Sequence, residues 1–230
     1  MRAAGSRLPA GIWWLWTGTD LGHVVERADI GGGLRLPVYV TGPNSVAWWA
    51  MIALILVDAT TFGCLAFTHA FLWLSNGDAA WPPAGLSLPD AVWPATAALL
   101  VAASGILVWI SDRLLRRGHA FAMAAAVLIA LPVAVAGLGL DLFALWEAGV
   151  RPTEHAFGAA VFANQFWQGF HGAVLLVMAL YLAARAFAGL VGPVRRVTFD
   201  NVRVFWFYAV AQALAGLALT HAFPRLVGSA

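Results

Sequence analysis

The chain has 230 residues, of which 62% are hydrophobic and only 10% are charged, and its formal net charge is +2. A soluble domain of this length does not need so apolar a composition, so the balance excludes a soluble globular protein and predicts an integral membrane protein. A single cysteine, Cys64, excludes a disulfide within the chain, and the sequence has no Cys/His cluster for zinc or iron–sulfur centres.

Residues 1–44 open the chain without an apolar run long enough to cross a bilayer. Their GIWWLW stretch is rich in tryptophan, which favours the headgroup zone. We therefore expect 1–44 to be a cytoplasmic or interfacial segment, lying on the membrane surface or against a partner. The remainder, 45–230, is predicted to be one membrane domain.

Five apolar runs of roughly the length needed to cross a bilayer follow along the chain. Each is expected to be a helix, because backbone polar groups in lipid must be hydrogen-bonded within their own segment. The predicted helices cover about 46–75, 91–111, 120–147, 157–190 and 202–224. The predicted fold class is an all-α membrane protein, a bundle of five transmembrane helices.

The arginines predict the orientation of this bundle, since the chain contains no lysine. With the N-terminus in the cytoplasm, eleven of the 13 arginines fall on the inner side, and only Arg151 and Arg225 fall outside. This positive-inside bias predicts a cytoplasmic N-terminus and a periplasmic C-terminus. The absence of lysine suggests a GC-rich genome, so the predicted location is a bacterial cell inner membrane. The slight excess of positive charge then reflects topology, and no nucleic-acid partner is expected.

Ionisable side chains inside a predicted span are functional candidates, because burying them in lipid is costly. Asp58 lies near the middle of the first span, and His69 shares its helical face about 16 Å further along the axis. Two interpretations of Asp58 stay open. It is either a proton-uptake group, linked onward by water or by a partner, or a neutral aspartic acid hydrogen-bonded at a helix interface.

The fourth and fifth spans carry polar residues at helical spacing. Asn164, Gln168 and His171 form one stripe that is expected to face the protein interior. Its members either satisfy one another across a helix interface or, as a second possibility, His171 is a haem or metal ligand.

In the fifth span, polar or small residues recur every four positions, at Tyr208, Gln212, Gly216 and Thr220. His221 is nine positions after Gln212 and is therefore expected on the opposite face. Asp141 and Glu147, near the outer end of the third span, are expected to be solvated at the membrane interface.

The tetrapeptide Thr-His-Ala-Phe occurs twice, around His69 and around His221. Both histidines are predicted at a similar depth near the outer face, where two histidines could in principle ligate one haem. Phe71, Trp73 and Phe223 would crowd a porphyrin there, however, and no second histidine pair exists at another depth. We therefore expect packing or interfacial hydrogen bonding at both histidines, and no metal.

Several longer segments are similar to a known family. They are WLWTGTD, LPVYVTGPNSVAWWAM, AWPPAG, FWQGFHGAVLLVMALYLAAR and, over some thirty residues, RRVTFDNVRVFWFYAVAQALAGLALTHAFPRLV. The chain resembles subunit III of the haem-copper cytochrome c oxidases, in the five-helix form related to the C-terminal part of fused subunit I+III proteins.

The resemblance implies roles for particular residues. Asp58 takes the place of the family's buried carboxylate, and Arg185 that of an arginine associated with anionic lipid. His171 matches the second histidine of a His-Gly-x-His motif, in which Gln168 replaces the first. Glu147 resembles the glutamate of a Gln-x-x-Glu pattern, although Ala144 replaces its glutamine.

The resemblance further implies a non-catalytic subunit that binds no haem or copper itself. Those cofactors would belong to partner subunits I and II, and this chain would stabilise subunit I, hold structural phospholipid and support proton uptake. Three alternatives stay open: an accessory protein of a nitric oxide reductase, a freestanding haem-binding electron carrier that uses the two repeat histidines, and a small transporter. The last would need two repeated halves, which the sequence lacks.

Overall fold

The structure is a computed structural model, and it describes residues 27–29, 31–37, 40, 42–76 and 80–227. Five helices long and apolar enough to cross a membrane dominate it, which confirms the predicted multi-pass helical fold. They are α1 (Val46–Ser75), α2 (Val92–Arg116), α3 (Ala120–Glu147), α4 (Ala156–Phe187) and α5 (Val197–Leu217). The last span continues through a π-helical turn, Ala218–Ala222, into the short α6, Phe223–Val227.

A short antiparallel hairpin precedes the helices and was not expected from the sequence. It pairs β1 (Arg27–Asp29) with β2 (Arg35–Pro37), and a 3₁₀ turn at Gly42–Asn44 then leads into α1. Gly31, Gly32 and Gly33 make the connection with φ angles of 94°, 65° and 79°, which suit glycine because it has no side chain. The GIWWLW stretch lies outside the described residues, so its predicted surface position stays a prediction.

Four helix ends differ by three residues or more from the predicted boundaries, and one of them is the end of the last span, at Val227 instead of near 224. α2 continues to Arg116 instead of ending near 111, and the last span begins at Val197 instead of near 202, because the charged residues at these two ends pair with each other. α4 ends at Phe187, earlier than the predicted 190. Gly189, with a φ of 70°, donates its amide to the Ala186 carbonyl and closes that helix.

The helices pack as an uneven bundle. α3 lies against α2 and α4, and α5 lies against α2 and α4, so these four enclose the main apolar core. α1 lies on the outside of α4 and α5, and none of the residues in the most apolar stretch of Val46–Ser75 is buried. The first span is therefore the one whose surface is most open to lipid or to another protein.

Candidate functional site

The middle of the bundle holds a three-residue polar cluster built from three helices. The Oδ2 atom of Asp58 on α1 lies 2.9 Å from Nε2 of His171 on α4, and the hydroxyl of Tyr208 on α5 donates to the same oxygen. The Asp58 and His171 side chains are only 11% and 2% exposed.

The hydrogen bonds around His171 limit where its protons can be. Its Nδ1 atom lies 2.8 Å from the Trp167 carbonyl, which can only accept, so Nδ1 carries a proton. Nε2 therefore either accepts a proton from Asp58 or donates one to its carboxylate. In both forms the aspartate and the histidine share one proton, and Tyr208 supplies a further hydrogen bond.

Asp58 is hydrogen-bonded at a helix interface, as one of its two interpretations expected, but the sequence did not predict its partners. The sequence placed Asp58 and His69 on one helical face, joined by water or by a partner, whereas Asp58 bonds to α4 and α5. Both partners belong to patterns that the sequence showed. His171 ends the polar stripe of the fourth span, and Tyr208 begins the four-residue series of the fifth span. Their spacing did not reveal that both of them face α1.

Amide side chains continue the polar contacts along the α4–α5 interface. The Gln168 side chain donates to the backbone carbonyl of Gln212 at 3.3 Å. The Asn164 side chain donates to the backbone carbonyl of Gly216 and to the Thr220 hydroxyl, both at 3.2 Å. Asn164, Gln168 and Gln212 are all buried. A Cβ atom at Gly216 would lie 3.0–3.1 Å from the Asn164 amide and would overlap Gln168, so this position needs glycine.

A second aspartate–histidine pair lies further along the same interface. Oδ1 of Asp141 on α3 is 2.6 Å from Nε2 of His221, and the Gln165 side chain donates to Oδ2 of Asp141 at 2.5 Å. Asp141 is 2% exposed and His221 is 4% exposed. The prediction that Asp141 is solvated at the membrane surface is therefore wrong, because α4 and the end of the last span close over it.

The π-helical turn explains the unexpected position of His221. A regular α-helix would place His221 opposite Gln212, but the turn at Ala218–Ala222 is closed by longer-range backbone bonds and changes the rotation of the helix there. Both Thr220 and His221 consequently point into the bundle. π turns of this kind are often found at functional sites, and no pattern in the sequence predicts this one.

His69, in the first copy of the repeat, has a different environment. Its ring is 1% exposed and makes edge-to-face contacts with Trp81, Phe157 and Phe223, at centroid distances of 5.4, 6.3 and 5.8 Å. Neither ring nitrogen has a hydrogen-bond partner among the described residues. Three aromatic rings thus surround His69, while His221 is held by Asp141.

A charged cluster joins α2 to the start of α5. Arg196 bonds to Asp112 at 2.5 Å and to Asp200 at 2.8 Å, and Asp112 also contacts Arg203 at 3.0 Å and Arg116 at 2.7 Å. Burial alone would lower the pKa of the Arg196 guanidinium, but the two aspartates more than offset this and raise that pKa above its usual value. Sequence reasoning missed the cluster because it used these arginines only as topology signals.

The other predicted site residues lie apart from these clusters. Glu147 is exposed at the last position of α3. Arg185 lies in the last turn of α4, where it donates to the Tyr181 hydroxyl at 3.3 Å. Its predicted contact with lipid stays a prediction. Within the described part of the chain, no group of three or more His, Cys, Asp or Glu side chains is placed to hold a metal ion.

Comparisons with known proteins add no family to this geometry. No protein-family model matches the chain, and a search of curated proteins found no matching sequence. The resemblance stated above therefore stays an expectation, and the buried polar clusters carry the functional argument.

Proposed function

We propose that this chain is a non-catalytic accessory subunit of a respiratory haem-copper terminal oxidase in a bacterial inner membrane. The complex passes electrons from cytochrome c or quinol to dioxygen and translocates protons. Its haem and copper centres belong to subunits I and II. This chain stabilises subunit I, holds phospholipid and supports proton uptake through Asp58.

One observation carries the proposal: Oδ2 of Asp58 lies 2.9 Å from Nε2 of His171 in the middle of a membrane-spanning bundle. A titratable group at this depth is a functional candidate, because lipid disfavours its charged form. The contacts with His171 and Tyr208 stabilise the Asp58 carboxylate and so offset part of that cost.

The outward surface of α1 supports a partner next to this cluster. Leu54, Leu56, Val57, Phe67 and Phe71 are all exposed on this helix. Such a long apolar surface suits lipid or another membrane protein. A large subunit docked there would lie beside Asp58, whose side chain is 11% exposed.

Spectroscopy on the purified complex tests this assignment. The tagged chain is extracted in mild detergent, and reduced-minus-oxidised spectra are recorded with its partners and after the partners have been stripped away. We expect haem bands in the preparation that contains a large subunit and none after that subunit has been removed. A haem band that stays with the stripped chain would contradict the proposal and favour an electron carrier. Co-purification with a nitric oxide reductase instead would favour the related accessory role.

The proton role has its own test in the intact complex. Asp58→Asn removes the titratable group while keeping its size, so we expect faster inactivation during turnover with an unchanged haem spectrum. Asp90→Asn, an exposed carboxylate outside the helices, is the matched control and should behave like the natural protein. If the Asp58 variant lasts as long as the control, Asp58 has no part in proton uptake.

A further inference from the structure

The two aspartate–histidine pairs contact α4 at nearby positions. His171 reaches Asp58, and Gln165 reaches Asp141; these two α4 residues are six positions apart, which is about 9 Å along the helix axis. Three hydrogen bonds of ordinary length, placed end to end, cover about that distance. The two pairs belong to one interface and are not independent features.

Polar atoms that lack partners are concentrated between the pairs. In the part of the chain that the structure describes, Oδ1 of Asn164, Oε1 of Gln168, both amide atoms of Gln212 and Nδ1 of His221 are buried without a hydrogen bond. Each buried atom left without a partner costs about 1–3 kcal/mol. Proteins usually satisfy such groups with internal water, which makes about three hydrogen bonds in a polar site.

The residues Asn164, Gln168 and Gln212 form a polar line between the two aspartate–histidine pairs. Apolar side chains close one end of this line. Phe205 stacks on the His171 ring at a centroid distance of 5.8 Å, and Val202 and Phe199 continue the buried apolar surface towards the start of α5. At the opposite end, Arg225 donates to the His221 carbonyl at 2.7 Å and to the Pro89 carbonyl at 2.6 Å. Pro89 belongs to the loop that precedes α2. The polar contacts therefore run from that end of the bundle to Asp58.

We infer that water bound between α4 and α5, held by Asn164, Gln168 and Gln212, forms a proton relay from the Asp141–His221 pair to Asp58. Each step breaks one O–H or N–H bond and forms the next along a hydrogen bond that the bound water makes. One proton is lost at the Asp141–His221 pair and one is gained by the Asp58–His171–Tyr208 cluster. The relay is a property of this chain alone; it shares Asp58 with the proposed function but does not require an oxidase partner.

Gln212 is the best point at which to interrupt the relay. Both of its side-chain amide atoms are buried without a partner in the described structure, and its side chain bonds to neither aspartate–histidine pair. Gln212→Leu therefore removes the polar group while leaving both pairs in place. Asn201→Leu is the matched control, since Asn201 is an amide on the same helix that bonds to the Ala47 carbonyl away from the line.

The experiment follows the infrared carboxyl band of Asp58 after a rapid change of bulk pH, with the full chain in lipid nanodiscs. Loss of the band in Asp58→Asn identifies it. We expect Gln212→Leu to slow the protonation of Asp58 at least about tenfold, a barrier increase of about 1.4 kcal/mol. Asn201→Leu should keep the natural rate, and Gln168→Leu repeats the test from α4 if the first variant does not fold.

Three outcomes would overturn the relay. A natural rate in both glutamine variants would mean that protons reach Asp58 by another route. Equal slowing in Asn201→Leu would mean that any lost amide disturbs the bundle. An Asp58 band that does not respond to bulk pH in the natural chain would mean that no proton arrives. Because no oxidase partner is present, none of these results depends on the proposed function.

Discussion

The two Thr-His-Ala-Phe segments, residues 68–71 and 220–223, have the same side chains in very different surroundings. In the first copy, Thr68 donates to the Cys64 carbonyl of its own helix, and His69 lies among aromatic rings. In the second, Thr220 accepts a hydrogen bond from Asn164 on another helix, and His221 is held by Asp141. Phe223 of the second copy packs on His69, so the two copies touch while performing different structural tasks.

The difference arises from helix geometry and from neighbouring helices. The first copy belongs to a regular helix on the outside of the bundle, where a threonine can reach only its own backbone. The second belongs to a π-helical turn inside the bundle, which directs both polar side chains towards α3 and α4. A buried histidine in a membrane span is therefore not evidence for a ligand site until its neighbours are known.

The largest effect that separates the two copies is expected for His221→Leu. This change leaves Asp141 buried with only Gln165 as its partner. Leaving one member of a buried ion pair costs about 3–5 kcal/mol in soluble proteins, whereas a hydrogen bond between membrane helices is worth about 0.6–1.7 kcal/mol. We expect a loss of about 2 kcal/mol, between these ranges. Reversible unfolding in mixed micelles of mild detergent and SDS measures it.

An intermediate effect should distinguish the two threonines. Thr220→Val removes the hydroxyl that accepts from Asn164, and we expect a loss of about 1 kcal/mol of unfolding free energy. Thr68→Val is the same change in the first copy, where the hydroxyl bonds only within α1, and it should have almost no effect. Equal losses in the two variants would show that the interhelical bond adds nothing.

The smallest effect is expected for His69→Phe. Phenylalanine keeps the ring contacts with Trp81 and Phe223 and removes two nitrogens that have no partner in the described structure. Replacing an unsatisfied buried polar group by an apolar one of similar shape is nearly neutral or stabilising, so we expect a change between zero and a gain of about 1 kcal/mol. A clear loss of stability in the same micelle assay would mean that His69 donates or accepts a hydrogen bond.

The sequence predicted the features that depend on a single helix. Apolar run length predicted five helices, and helical spacing placed Asn164, Gln168 and His171 on one stripe that the structure shows to be buried. It did not predict features that need a second helix. The burial of Asp141 depends on α4 and the end of the last span, and the true length of α2 depends on Arg196, far along the chain. The π turn has no residue pattern of its own.

The charged cluster at the start of α5 constrains the order in which the chain is assembled. Asp112 and Arg196 are separated by 84 residues. At ordinary synthesis rates of about 5–20 residues per second, Arg196 is therefore made after a wait of about 4–17 s. During that wait Arg116, one helical turn away, is the local counter-ion of Asp112. α2 can thus enter the membrane as a provisional, charge-balanced helix. The Arg196 contact that joins it to the last span forms only when that span has been made.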